Sequence, residues 1–387
     1  MAGLNGQYAR HRQILLGVGA LGLTTFVATL ALSPQRAWSN LLLGNFYFVS
    51  LALFGAVFVA LNYVFSSGWG VVFRRVPEAM SAYLPLGAAV MLVLFLFGLS
   101  ALYVWSRPEA VASNPYLQQK AVYLNAPFFF VRAALAFAVW IAFSRLLRRH
   151  SVQQDVDGDL AHTRKNQKLS AAFLVLVGLT FIFFSFDWIM SLEPKWYSTI
   201  FPVYVFSGLF LGGTAAMTML VIQFQEKGLL SGITSHHRHE LGRVLCAAST
   251  FWAYIWFSQY MLIYYTNIPE EAIYFANRLT GGGRLLFLLN PVLNWFVPLV
   301  ILIPARARRS SGWLLRVCGI VLIARWLDLY LMIVPALGSP LQLGLPEVLI
   351  PLGFLPLFVL PVIASFRRAA PLPRRDPYLV ESAHLHV

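Results

Sequence analysis

The sequence predicts an all-α integral membrane protein with about ten transmembrane helices, and three observations carry that fold class. The 387-residue chain is 59% hydrophobic and only 11% charged, whereas soluble domains carry roughly 25% charged residues. Its mean hydropathy is +0.69. Apolar runs of about 20 residues, each enough to cross the roughly 30 Å hydrocarbon layer, follow one another along the whole chain. The polar stretches between them are too short to bury a soluble core of their own.

The first run, Ile14 to Leu32, follows the basic N-terminus "MAGLNGQYARHRQ". It is long for the core of a signal peptide and no small-residue cleavage pattern follows it, so it reads as a retained helix. Further runs begin near Leu41, Ala79, Ala126, Leu169, Thr199, Leu241, Leu285, Gly312 and Glu347. Between the third and fourth runs, "SRPEAVASNPYLQQKAVYLN" has room for a short interfacial helix. The segment at about 148–168, acidic in its middle and basic at both ends, reads as a mobile cytoplasmic linker. Its Asp155, Asp157, Gly158 and Asp159 suggest a calcium loop, but the remaining ligands of such a loop are missing. Ile268-Pro269-Glu270-Glu271 has the form of a helix start, with proline early and acids in the first turn. "TGGGR", Thr280 to Arg284, reads as a flexible lead into the eighth helix. Pro346, Pro351, Pro356 and Pro361 should kink the last helix. Residues 1–369 therefore form one polytopic domain. Residues 370–387 form a proline- and arginine-rich cytoplasmic tail, expected to be disordered or docked on a partner.

Charge sets the topology. If the N-terminus is cytoplasmic, the inside segments hold 21 lysines and arginines and the outside segments hold 6. This bias over short loops is the positive-inside pattern and puts both termini inside. It also explains the net charge of +14 without nucleic acid as a partner. Cys246 and Cys318 are the only cysteines, with no haem-attachment or iron–sulfur pattern. The eight histidines fall in tails and loops, His236, His237 and His239 among them, and no pair faces another across the membrane as a cytochrome b requires. The sequence assigns no catalytic residue, no metal site and no redox cofactor.

The few ionisable groups within apolar runs are the candidate site. They are Arg132, Asp187, Arg325 and Asp328, with Glu193 and Lys195 near a helix end. A charge near the bilayer centre costs about 2.5–3.5 kcal/mol on insertion scales, so such groups are paired or functional. Arg325 and Asp328 are three apart and share a helix face. Asp187 has no partner on its own helix, and Arg132 on the neighbouring helix would lie at a similar depth. Tyr254, Ser258 and Gln259 are spaced to form one polar stripe along the seventh helix. Each group reads either as a proton station or quinone-head ligand, or as a tie between helices; Asp187, without a partner on its own helix, reads first as a proton station, and the self-paired Arg325–Asp328 first as a static strut.

Three motifs, "SFDWIMSLEPKWYSTIFPVYVFSG", "HELGRVLCAASTFWAYIWFSQYMLIYYTNIPEE" and "RWLDLYLMIVP", together resemble the ActF-type subunits of bacterial alternative complex III, within the NrfD/polysulfide-reductase-like membrane proteins. "VYLNAPFFFVRAALAFAVW" in the fourth helix fits the same family, and the resemblance spans about Ala121 to Pro361. It implies two central four-helix bundles with one peripheral helix at each end. It further implies a bacterial inner-membrane subunit of a quinol:cytochrome c oxidoreductase, in a respiratory or photosynthetic chain. The partners would be an NrfD-like sister subunit, an iron–sulfur protein and cytochrome c subunits, with quinone or quinol as a possible ligand and a role in proton translocation. Asp187, Arg325 and Asp328 fall on family motif positions. Lys195 stands where the family pattern has histidine, Pro202 where it has glycine, and Glu240 and Arg243 where it has aspartate and lysine. The alternatives are a stand-alone secondary transporter, for which the sequence lacks an internal repeat, and a purely structural scaffold subunit.

Overall fold

The computed structural model describes residues 2–338, 341 and 343–385. Among the described residues there are ten long helices: α1 (Ala2–Leu32), α2 (Pro34–Val64), α3 (Val71–Phe97), α4 (Ala126–Asp157), α5 (Ala161–Trp188), α6 (Phe201–Glu226), α7 (Ser235–Thr266), α8 (Gly283–Leu302), α9 (Ser311–Ile333) and α10 (Leu345–Arg367). Nine of them are long and apolar enough to cross a membrane. The tenth, α7, has 32 residues, ample length at about 1.5 Å per residue, but carries more polar side chains. The protein is an all-α, multi-pass membrane protein, and no strand occurs among the described residues.

Helices α2, α3, α4 and α5 pack as one four-helix group, and α6, α7, α8 and α9 as a second. Helix α2 also packs on α6 and α9, so it joins the two groups, and it is buried along nearly its whole length. The terminal helices α1 and α10 lie together against α2. Their contact is closest at Gly22 and Gly353, where a Cβ on Gly22 would come within 2.5 Å of the Gly353 Cα. Small residues let helix backbones approach where lipid offers no hydrophobic drive. Helix α10 breaks at that same Gly353. Its first turn is held to α2 by Glu347, which takes both Arg36 Nε and Nη2 at 2.7 Å and Asn40 Nδ2 at 3.1 Å.

Three sequence expectations change at the arginine-rich end. The segment expected to be a mobile linker is helical over most of its length, because α4 runs on to Asp157 and α5 starts at Ala161. The turn between them is made by Gly158, whose φ of 74° suits glycine. Its acidic residues are occupied in turns and pairs: Asp155 takes Arg75 Nη2 at 2.5 Å, and Asp157 accepts the Asp159 N–H at 3.0 Å. The tail is folded back on its own chain rather than disordered. Arg74 pairs with Asp376, both buried. Ser382 Oγ accepts the Val72 N–H at 3.2 Å and donates to Trp69 O at 3.0 Å. His236, His237 and His239 are not loop residues but lie in the first two turns of α7. His237 accepts the Thr234 N–H through Nδ1 at 3.1 Å and donates through Nε2 to Ser382 O at 2.9 Å, so it both caps a helix and anchors the tail. The tail's His386 lies outside the described residues.

At the opposite end, the segment between α3 and α4 contains short helices, among them Pro108–Ala112 and Pro115–Lys120. Lys120 Nζ donates to Pro194 O at 2.7 Å and Tyr116 to Lys195 O at 3.1 Å, which closes this segment over the end of α5. Pro269 starts an amphipathic helix, Pro269–Leu279, with Glu270 and Glu271 in its first turn.

Candidate functional site

Each four-helix group encloses an arginine–aspartate couple. In the first group the couple joins two helices. Arg132 of α4 meets Asp187 near the end of α5 in a two-bond clasp, Nε to Oδ2 at 2.6 Å and Nη2 to Oδ1 at 3.0 Å. Nη1 donates to Tyr123 O at 3.1 Å. The guanidinium carbon lies 4.0 Å from the Tyr123 ring centre and 4.2 Å from that of Phe128. All three guanidinium nitrogens and both carboxylate oxygens are therefore matched, and the planar fork meets its complement. Asp187 lacks a partner only on its own helix. One turn on, Ser191 Oγ donates to Asp187 O at 2.5 Å and accepts Trp105 Nε1 at 3.1 Å. Tyr103 donates to Trp188 O at 2.8 Å. Below the couple, Trp188, Phe184, Phe46 and Phe137 form a packed aromatic core.

In the second group the couple lies on one helix, α9, and three other helices converge on it. Asp328 Oδ1 accepts from the Tyr204 hydroxyl and from Asn290 Nδ2, the latter at 2.6 Å. Its Oδ2 accepts from Arg325 Nη1 and, at 3.3 Å, from Trp252 Nε1. The carboxylate is fully buried and Arg325 is 4% exposed. Arg325 lies flat on α6 where that helix has Gly208 and Gly212; a Cβ on Gly208 would stand 1.9 Å from Nη2. Asn290 is placed by an irregular stretch of α8. Pro298 has no N–H to give the Asn294 carbonyl four residues earlier, and the backbone widens into a π turn over Val292–Phe296. Ser249 Oγ of α7 donates to that freed carbonyl at 2.7 Å, and Asn294 Nδ2 donates to Asn290 Oδ1 at 2.7 Å.

Small cavities flank the second couple. One, of about 10 Å³, is lined by Tyr204, Gln259, Tyr274, Arg278 and Asn290. The other, also about 10 Å³, is lined by Ser50, Gly208, Gly212 and Arg325 and lies one turn further from the α9 C-terminus. Each is the size that one water molecule occupies. Gln259, 2% exposed, finds no protein partner for either amide atom. Beyond the first cavity, Arg278 of the amphipathic helix caps the end of α9, donating to Leu331 O at 2.8 Å and Met332 O at 3.1 Å. A cation there meets carbonyls that have no helical donor. The same guanidinium pairs with Glu193 at 3.0 Å and covers the Tyr274 ring at 3.3 Å. Burial pushes the Tyr274 hydroxyl up to about 12 against the pull of Arg278, which keeps it protonated.

The expected polar stripe on α7 does not form as one face. Tyr254 is 67% exposed and points outward, Ser258 is half-buried, and only Gln259 points into the bundle. A step from i+4 to i+5 turns about 100° around a helix, which is enough to separate them. Glu193 is drawn in by Arg278, while Lys195 is exposed and contributes only its backbone carbonyl. Sequence reasoning passed over Tyr204, Trp252, Asn290, Gly208 and Arg278. Asn290 and Asn294, spaced i, i+4 around a proline in an apolar run, carried a readable signal. Arg278 carried no such signal, because Glu193, Leu331 and Met332 are distant from it in sequence.

No protein-family model matches the chain, and no curated protein matches it.

Proposed function

We propose that the chain is a cofactor-free membrane subunit of a quinol:cytochrome c oxidoreductase complex, and that its second four-helix group moves protons through Asp328. The observation that carries this reading is the Asp328 shell, a buried carboxylate held by four donors between two water-sized cavities. Asp328 itself lines neither cavity, but its partners Tyr204 and Asn290 line one and Arg325 lines the other, and an intramembrane carboxylate so connected is a candidate proton relay. Arg325 rests on Gly208 and Gly212 beside the second cavity, and in this reading the ion pair opens there. Tyr204, Asn290 and Trp252 then remain to hold Asp328 while it accepts a proton. From Tyr204 the route runs through the cavity and Gln259 to Arg278 and Glu193.

Membership in the complex rests on the motif resemblance and on a chain whose cysteines and histidines lack redox-centre spacing. The sister NrfD-like subunit, the iron–sulfur protein and the cytochrome c subunits would carry the electrons, in a bacterial inner membrane. A quinone ring needs a pocket of several hundred Å³, so the space at Asp328 favours protons. Quinone would meet this subunit on its lipid-facing surface. The first couple supports a second, structural role, because every polar atom of Arg132 and Asp187 is matched.

The test is proton release per electron in liposomes holding the native complex. Tyr204→Phe keeps the ion pair and should lower that ratio while quinol oxidation continues; Asp328→Asn should lower it further. An unchanged ratio in both variants would overturn the proton role. Purification from native membranes without iron–sulfur or cytochrome partners would overturn the complex assignment and favour a lone transporter.

A further inference from the structure

A groove of about 430 Å³ opens at the arginine-rich end between α3, α4 and α10. Arg145, Arg148, Arg149 and Arg368 line it. Arg148 is half-buried and spends two guanidinium nitrogens on Ser365, its hydroxyl and its carbonyl, the latter at 2.5 Å. No carboxylate pairs with any of these four arginines among the described residues. The nearby acids, Glu78 and Asp155, are both committed to Arg75. Five arginines thus face two carboxylates, and the excess positive charge sits where α4 and α10 leave the apolar layer. The groove's membrane side is apolar, with Ala82, Pro85 and Ile141. At its floor, Glu78 Oε1 is buried with no protein donor.

We infer that this groove binds the headgroup of an anionic phospholipid, with the phosphate on the arginines and a headgroup hydroxyl donating to Glu78. Basic pockets between membrane helices suit such headgroups. Charge complementarity fixes the sign of the ligand and the apolar wall fixes its source, since acyl chains would continue along Pro85 and Ile141. The unpaired Glu78 oxygen selects a headgroup with a hydroxyl, of which phosphatidylglycerol is the simplest. This inference stands independently of the proton role.

The experiment is native mass spectrometry of the full chain with its accompanying subunits, titrated with phosphatidylglycerol or phosphatidylcholine. Phosphatidylglycerol should be retained preferentially. Arg145→Gln/Arg149→Gln, both exposed, should weaken it by about 30-fold, taking about fivefold per arginine near the surface. Arg306→Gln/Arg316→Gln, which removes equal charge elsewhere at this end, should change it less than twofold. Arg148→Gln removes the half-buried arginine and should weaken retention at least as much as loss of one exposed arginine. Equal retention of phosphatidylcholine, equal loss in the two double variants, or glycerol phosphate binding as tightly as the lipid would each overturn the assignment.

Discussion

The two four-helix groups bury the same pair of residue types and use them differently. Arg132 and Asp187 come from two helices and clasp each other completely, with aromatic rings on the guanidinium and none of their polar atoms left over. Arg325 and Asp328 come from one helix, so the pair itself ties nothing together. Its neighbours from α6, α7 and α8 do that, and they leave water-sized space on both sides. A couple that spans helices is a fastener. A couple within one helix, held from outside and bordered by cavities, can open without the bundle coming apart.

That contrast breaks if Asp187 is expendable. Asp187→Ala leaves Arg132 buried without its carboxylate, a loss of about 3–5 kcal/mol. The assembled fraction of the complex should fall, and the thermal midpoint of what remains should drop by several degrees. Complexes that do assemble should release as many protons per electron as before. Normal assembly with lost proton release would instead make Asp187 the relay.

Gly208→Ala is next in size. The added methyl would stand 1.9 Å from Arg325 Nη2, so the guanidinium must leave its bed. The expected cost is about 3 kcal/mol, near the upper range for overpacking a core, seen as a lower thermal midpoint. Glycine-to-alanine at Gly178 of α5, where a Cβ meets nothing within 4 Å, is the matched control and should gain slightly. Equal behaviour at the two sites would show that Arg325 is not held against α6. Tyr204→Phe follows, removing one of four donors to a buried carboxylate at about 1.5 kcal/mol. Its thermal midpoint should fall less than that of Gly208→Ala; a larger fall would make the tyrosine a fastener as well.

What the sequence made legible follows the range of its signals. Helix number and the grouping of arginines at one end depend on composition and period, so α1 to α10 were readable in order. The Arg325–Asp328 pair was readable from spacing within one turn. Arg132–Asp187 bridges 55 positions, and no spacing rule requires it. The tail and the α4–α5 connection were misread for the same reason. Their composition is polar and flexible, yet Asp376 and Ser382 find partners 302 and 310 positions away, and Asp155 finds Arg75, 80 positions away. The Tyr254 stripe failed on an angle, since one residue's difference decides whether a side chain on α7 faces lipid or protein.

Gln259 gives the smallest stability effect and the sharpest division between holding and conducting. Its amide is buried and neither polar atom has a protein partner, so in a purely structural bundle it is a liability. An unmade hydrogen bond costs about 1–3 kcal/mol, and Gln259→Leu removes that cost at nearly constant volume. The variant should therefore be as stable as the parent or slightly more so, by about 1 kcal/mol. If the cavity beside it carries protons, the same change should slow proton release, because a leucine there removes one of the few polar side chains that line the space between Tyr204 and Arg278. A variant that is both stabler and slower means that the residue is kept for conduction. A variant that is stabler and equally fast would remove Gln259 from the route and leave Tyr274, whose protonated hydroxyl lines the same space, as its remaining member.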